Sequence, residues 1–120
     1  MVMDNIVGRL KLLFPYNQLQ LIIGSLMGDA RLECRSKGIR AKHTARLRIH
    51  QSDKQKEYVL WKYQQVKEFV LRGPRFTKVW HDPKRNKDHF SWYFHTKSTE
   101  NFGLIHKIFY KDGVKIVPKE

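Results

Sequence analysis

An aspartate closes the most apolar stretch of this sequence, LIIGSLMGDARLE at residues 21–33, in which Gly24 and Gly28 stand four apart. The pattern predicts a helix over about residues 17–28 with Asp29 at its carbonyl end. That end carries about half a negative charge, so a carboxylate there is disfavoured unless a cation joins it. Asp29 therefore either binds a cation, or caps a turn and pairs with Arg31. A glycine costs about 1 kcal/mol against alanine in a helix interior, and Gly24 and Gly28 share one face. Either they admit a second helix backbone at close range or they are tolerated core glycines. A second copy of the same helix, meeting this one through Leu21, Gly24, Ser25 and Gly28, would bring two Asp29 carboxylates together near a symmetry axis. Two such acids at paired helix ends form an oxygen site suited to magnesium.

Other reactive groupings are missing. No Ser-His or Cys-His arrangement is apparent, and His81 and His89 flank a basic loop without companions at a catalytic spacing. Cys34 stands alone, so no internal disulfide or zinc spacing arises, and a reducing interior is expected. Lysine and arginine outnumber aspartate and glutamate by 24 to 11 in 120 residues, a net charge of +13. That excess points to a polyanion, with duplex DNA the strongest candidate. The apolar run of residues 19–27 falls far short of the ~20 residues of a membrane span, so a soluble, intracellular protein without a membrane partner is expected.

The elements that must position these residues follow from periodicity. Residues 1–120 read as one domain with the order αββαββα, an α+β fold. After the first helix, Leu32 and Cys34 alternate with Arg31, Glu33 and Arg35, and Leu47 and Ile49 with Arg46, Arg48 and His50, so two strands each offer a basic face. A turn at residues 36–38 joins them. Ser52 and Gln55 have the spacing of a capping box before a helix carrying Val59, Tyr63, Val66 and Val70, which Gly73-Pro74 stops. Residues 76–81 and 90–97 form a second strand pair around DPKRNKDH, with Phe90, Trp92 and Phe94 inward. Ser98 or Thr99 caps a third helix, which runs to about residue 110 before Lys111-Asp112-Gly113 turns the chain.

With that order in place, IIGSLMGDA at residues 22–30 resembles the signature helix of the LAGLIDADG homing endonucleases. The segments QSDKQKEYVLWKY and DGVKIVP extend the likeness over most of the chain and resemble the branch acting on organelle and bacterial intron targets. The resemblance implies a four-stranded antiparallel DNA-binding sheet with helices on its other face. It also implies that Asp29 binds the catalytic divalent metal, Mg2+ or Mn2+ with Ca2+ as a non-catalytic substitute, helped by the backbone of Gly28 and Ala30. Lys115 matches a basic residue beside the scissile phosphates, where a cation stabilises charge on phosphoryl oxygens. Gln51 matches a residue that organises active-site water. Met27 departs from the pattern, standing where an acid is common.

Strand parity then gives the DNA contacts. Arg31, Glu33, Arg35, Arg46, Arg48, His50, Lys78, Tyr93, His95 and Lys97 are assigned to the sheet face, and Lys37, Arg40, Lys42, Lys84, Arg85 and Lys87 to hairpin tips that hold the backbone. One signature motif implies a homodimer cutting both strands of a near-palindromic duplex, or half of a longer protein. The alternative is a non-cutting binder of DNA or RNA, such as an intron splicing helper or transcription regulator.

Overall fold

Leu19, Ile22, Ile23 and Leu26 fall on one helical stripe, and burying that stripe winds Tyr16–Leu26 into the helix α1, entered through Pro15. The computed structural model describes residue 10, residues 13–34 and residues 44–116. Helix α1 stops two residues short of the expected end. The N–H groups of Gly28 and Ala30 both donate to the Ser25 carbonyl, at 3.1 and 3.0 Å, so Gly28 and Asp29 lie in the turn that leads into the sheet.

Four antiparallel strands follow: β1 Arg31–Glu33, β2 Arg46–Ser52, β3 Arg75–Asp82 and β4 Lys87–His95, in the spatial order β1-β2-β4-β3. Leu32 pairs with Leu47 and Ile49 with Phe94, and all four are buried, which fixes the register. The opposite face carries Arg31, Arg48 and His95 in one row and His50, Tyr93 and Arg75 in the next.

The helices α2, Lys56–Val66, and α3, Glu100–Phe109, cover the apolar face with α1; Val59, Val66, Phe102 and Ile105 join the same core as Ile22, Ile49 and Phe94. Helix α3 is capped as expected by Thr99, whose hydroxyl accepts from the N–H of Phe102 at 3.2 Å. The capping box at Ser52 does not form. Ser52 instead precedes a short 3₁₀ turn, Asp53–Gln55, and its side chain makes no capping hydrogen bond.

A two-strand hairpin closes the described chain, β5 Tyr110–Lys111 and β6 Val114–Lys115. Asp112 and Gly113 turn it with φ of 52° and 79°, the double left-handed geometry that an Asp-Gly pair accepts most readily. No described helix is long and apolar enough to cross a membrane.

Candidate functional site

The β5–β6 hairpin sets Lys115 directly across from Tyr110, and the Tyr110 hydroxyl accepts from the N–H of Leu32 at 2.9 Å, tying the hairpin to β1. From there the Lys115 ammonium reaches back to the end of α1. Its Nζ donates to the carbonyls of Ala30 and Gly28, at 2.6 and 3.1 Å, on either side of Asp29. The electronegative turn after the helix thus already holds one cation.

Asp29 opens into a hollow of about 190 Å³ that it shares with Arg31, Arg48 and His50. Burial, then the charges of Arg48 and Arg31, hold the His50 imidazole below its ordinary value, so the ring is neutral at pH 7. An Arg48 NH2 group lies 3.5 Å from His50 Nδ1, and arginine only donates, so Nδ1 accepts and Nε2 carries the hydrogen. The hollow therefore presents two guanidinium groups and one imidazole N–H beside a carboxylate.

One acid organises the arginines around it. Glu33 accepts from Arg46 Nε at 2.9 Å, pairs with Arg31 at 2.8 Å and lies 3.7 Å from Arg48. Burial opposes its charged form, but the Arg46 hydrogen bond and the three positive charges outweigh burial, and the carboxyl titrates below its ordinary value. Arg48 also lies over the Tyr93 ring, 5.6 Å from its centroid.

Gly24 stands exposed on the outward face of α1, and Gly28 in the turn that follows it. Among the described residues a Cβ added at Gly24 would meet nothing within 4 Å, and one at Gly28 only the Ser25 carbonyl at an ordinary 3.7 Å. Leu21, Gly24 and Ser25 line a groove with Tyr58 and Trp61 of α2, which remain 48% and 53% exposed. Neither glycine is a packed core glycine, so that alternative falls; Ser25 itself is buried at the groove floor.

The profile of the LAGLIDADG DNA endonuclease family matches residues 19–120. The chain belongs to this family. Among solved structures it is similar to the homing endonuclease I-WcaI bound to its DNA recognition sequence, with a TM-score of 0.67 and 21% identity over 83% of this chain. That likeness establishes the fold, and the chain spans only 41% of the I-WcaI chain. No curated protein matches.

Against this LAGLIDADG frame, most residues expected on the sheet surface are there: Arg31, Glu33, Arg46, Arg48, His50, Tyr93 and His95 share the face away from the core. Lys78 does not. It pairs with Phe90, on the face that carries Trp92 and Phe94, and Arg75 and Thr77 take the outward positions of β3. The reason is register: Phe76 pairs with Trp92, and Lys78, two residues on, must share its face. Gln51 likewise pairs with Trp92 and points to the helix side, where its Oε1 has no partner among the described residues; its neighbour His50 lines the Asp29 hollow with Arg31 and Arg48. Lys84, Arg85 and Lys87 are exposed at the β3–β4 hairpin tip, and Lys97 lies two residues past the end of β4. Arg35, Lys37, Arg40 and Lys42 lie outside the described residues.

The sequence reading missed Lys62, which is only 5% exposed, with its ammonium 4.3 Å from the Tyr58 ring. Burial pushes its pKa down while the charge of Asp29 acts against that shift. The signal was present, since Lys62 sits on the same helical stripe as Val59 and Val66.

Proposed function

We propose that this chain is a site-specific homing endonuclease which, as a homodimer, cuts both strands of a long, near-palindromic DNA target by metal-assisted phosphodiester hydrolysis. The observation that carries this reading is the hollow joining Asp29 to Arg31, Arg48 and His50. A metal-binding acid there opens directly onto a basic sheet face, so a duplex lying along the sheet presents its phosphates to the acid.

The donor set fits a hard cation. Among the described residues no group of three or more His, Cys, Asp and Glu side chains gathers, so each chain offers the Asp29 carboxylate, while the Gly28 and Ala30 carbonyls accept from the Lys115 ammonium. Magnesium keeps several waters and takes one or two carboxylates plus phosphate oxygens, which suits this set and its second copy. When bound, Mg2+ or Mn2+ supplies a water of lowered pKa and charge on the phosphoryl oxygens; Ca2+ fills the position without supporting the reaction.

The chain's own groups do the rest. Asp29 holds the metal at the helix end. Arg31, Arg48 and the His50 Nε2–H supply donors for a phosphate in the hollow, and Lys115 adds positive charge as negative charge builds on the phosphoryl oxygens. No protein nucleophile is required. His50 lines the Asp29 hollow while Gln51 faces the helix side, which supports His50 as the residue that orders water there.

The test is sequencing the products formed from a randomised duplex library with magnesium present, with Asp29→Asn alongside. Wild type should yield one dominant cut site and Asp29→Asn none, while both select the same duplexes by binding in calcium. Selective binding without cleavage by wild type would instead make the chain a non-cutting binder, to be tried next on RNA.

A further inference from the structure

We infer that the chain carries a second anion site at the rim of the sheet, a clamp for the DNA backbone built around Arg72 and Arg75. This rests on the proposed DNA reading and extends the contact surface beyond the residues the sequence pointed to. The site is a hollow of about 410 Å³ whose lining includes Arg46, Arg72, Arg75, His95 and Lys97 and no carboxylate among the described residues. Three arginines and a lysine around one concavity, Arg46, Arg72, Arg75 and Lys97, repel one another unless an anion joins them. Arg46 is compensated by Glu33, but Arg72 and Arg75 make no ion pair among the described residues.

The hollow is built by backbone constraints that do not depend on a ligand. The N–H of Lys97 donates to the Phe69 carbonyl at 2.7 Å, fixing the segment after β4 against the segment that leaves α2. Gly73 lies against Tyr63, where a Cβ would be 3.7 Å from the ring and its hydroxyl, and Pro74 restricts the backbone just before β3. Arg75 is the first residue of β3, an edge strand, and pairs with Tyr93 on the outward face; Arg72 lies in the bend before it.

Position distinguishes the ligand. The floor of the major groove is met by the middle of the sheet face, whereas the phosphate ridges run along its margins. A basic hollow at the ends of β2 and β4, where they meet the start of the edge strand β3 and a bend outside the sheet, lies at such a margin and meets a ridge. Arg72 and Arg75 therefore grip phosphates of the strand that borders the groove, and they fix register without reading bases.

The experiment measures duplex affinity against salt for wild type and the Arg72→Gln/Arg75→Gln double variant, in calcium, on the selected target and on single-base variants of it. The slope of log affinity against log salt should become shallower by about 0.9 for each arginine lost. Affinity should drop for every sequence alike, leaving base preferences unchanged. Lys107→Gln, on an exposed position of α3, should match wild type. An unchanged slope in the double variant overturns the clamp, and a preference relaxed at one base position overturns the backbone assignment by making an arginine a base reader. A wild type whose binding ignores salt overturns the DNA reading itself, an outcome distinct from a failure of the clamp alone.

Discussion

Glu33 is an acid among the basic side chains of the sheet face proposed to meet DNA, and its three arginine contacts explain its presence. A lone carboxylate lowers the attraction for DNA, but this one fans Arg31, Arg46 and Arg48 into fixed directions, and fixed guanidinium groups discriminate bases better than mobile ones. Glu33→Gln should therefore raise affinity for random duplex, because one negative charge is gone, and lower the ratio of target to random affinity. Competition binding at constant salt measures both, and a lower affinity for random duplex would contradict the argument. The same residue sets an acid limb of stability. Its folded pKa lies below the ordinary carboxylate value of about 4.3, so the stabilisation is present above that value and is lost as pH falls through the folded pKa. Thermal melts of wild type and Glu33→Gln should converge as pH is lowered through that window. Lys115→Met belongs to this scale too: if Lys115 serves the proposed phosphoryl site, losing that electrostatic group should slow single-turnover cleavage by about a hundredfold. Because the Lys115 ammonium rests on carbonyls and not on the sheet, affinity for DNA should change little.

Between residue and fold stands the β5–β6 hairpin, which ties itself to β1 through Tyr110 and carries Lys115 to the end of α1. Gly113 has φ 79° and open space around it, so a β-branched side chain there meets strain without any clash. Gly113→Val should cut cleavage as Lys115→Met does while the melting temperature moves little, since the described hairpin residues beyond Tyr110 are exposed. A fall in melting temperature as large as that from a core substitution would show that the hairpin supports the fold instead. The Asp-Gly turn was legible in the sequence because it is local chemistry, as were the glycine-spaced helix and the alternation of Leu47 and Ile49. What escaped was decided by distant partners. Lys78 looks outward by polarity, yet the pairing of Phe76 with Trp92 turns it to the helix side, where neighbouring Phe76 remains 50% exposed and a lysine is tolerated. Ser52 and Gln55 have the letters of a capping box, but the chain tightens into a 3₁₀ turn that gives Asp53 its bond to the Trp92 indole at 2.8 Å. The Asp29 hollow was half legible: the acid and Lys115 came from the resemblance, while the choice of His50 over Gln51 needed the register of β2 on β4.

At the scale of the whole molecule, two opposed forces bear on the proposed homodimer. The groove beside Gly24, with Tyr58 and Trp61 exposed along it, offers apolar surface to a second copy. Each chain also brings a formal charge of +13, so two copies repel before DNA is present. Salt screens that repulsion with a Debye length of about 10 Å at 0.1 M and about 3 Å at 1 M. The free protein should therefore dimerise more completely as salt rises, while its hold on DNA weakens over the same range. Sedimentation of the free chain across a salt series gives the first trend and duplex binding the second. Gly24→Leu separates assembly from folding, because a Cβ at this exposed position meets nothing within 4 Å among the described residues and leucine favours helix over glycine. That variant should keep or raise its melting temperature as a monomer, sediment at monomer mass at every salt concentration, and lose double-strand cleavage, since one Asp29 serves one strand. A Gly24→Leu protein that still sediments as a dimer would place the interface elsewhere on the surface.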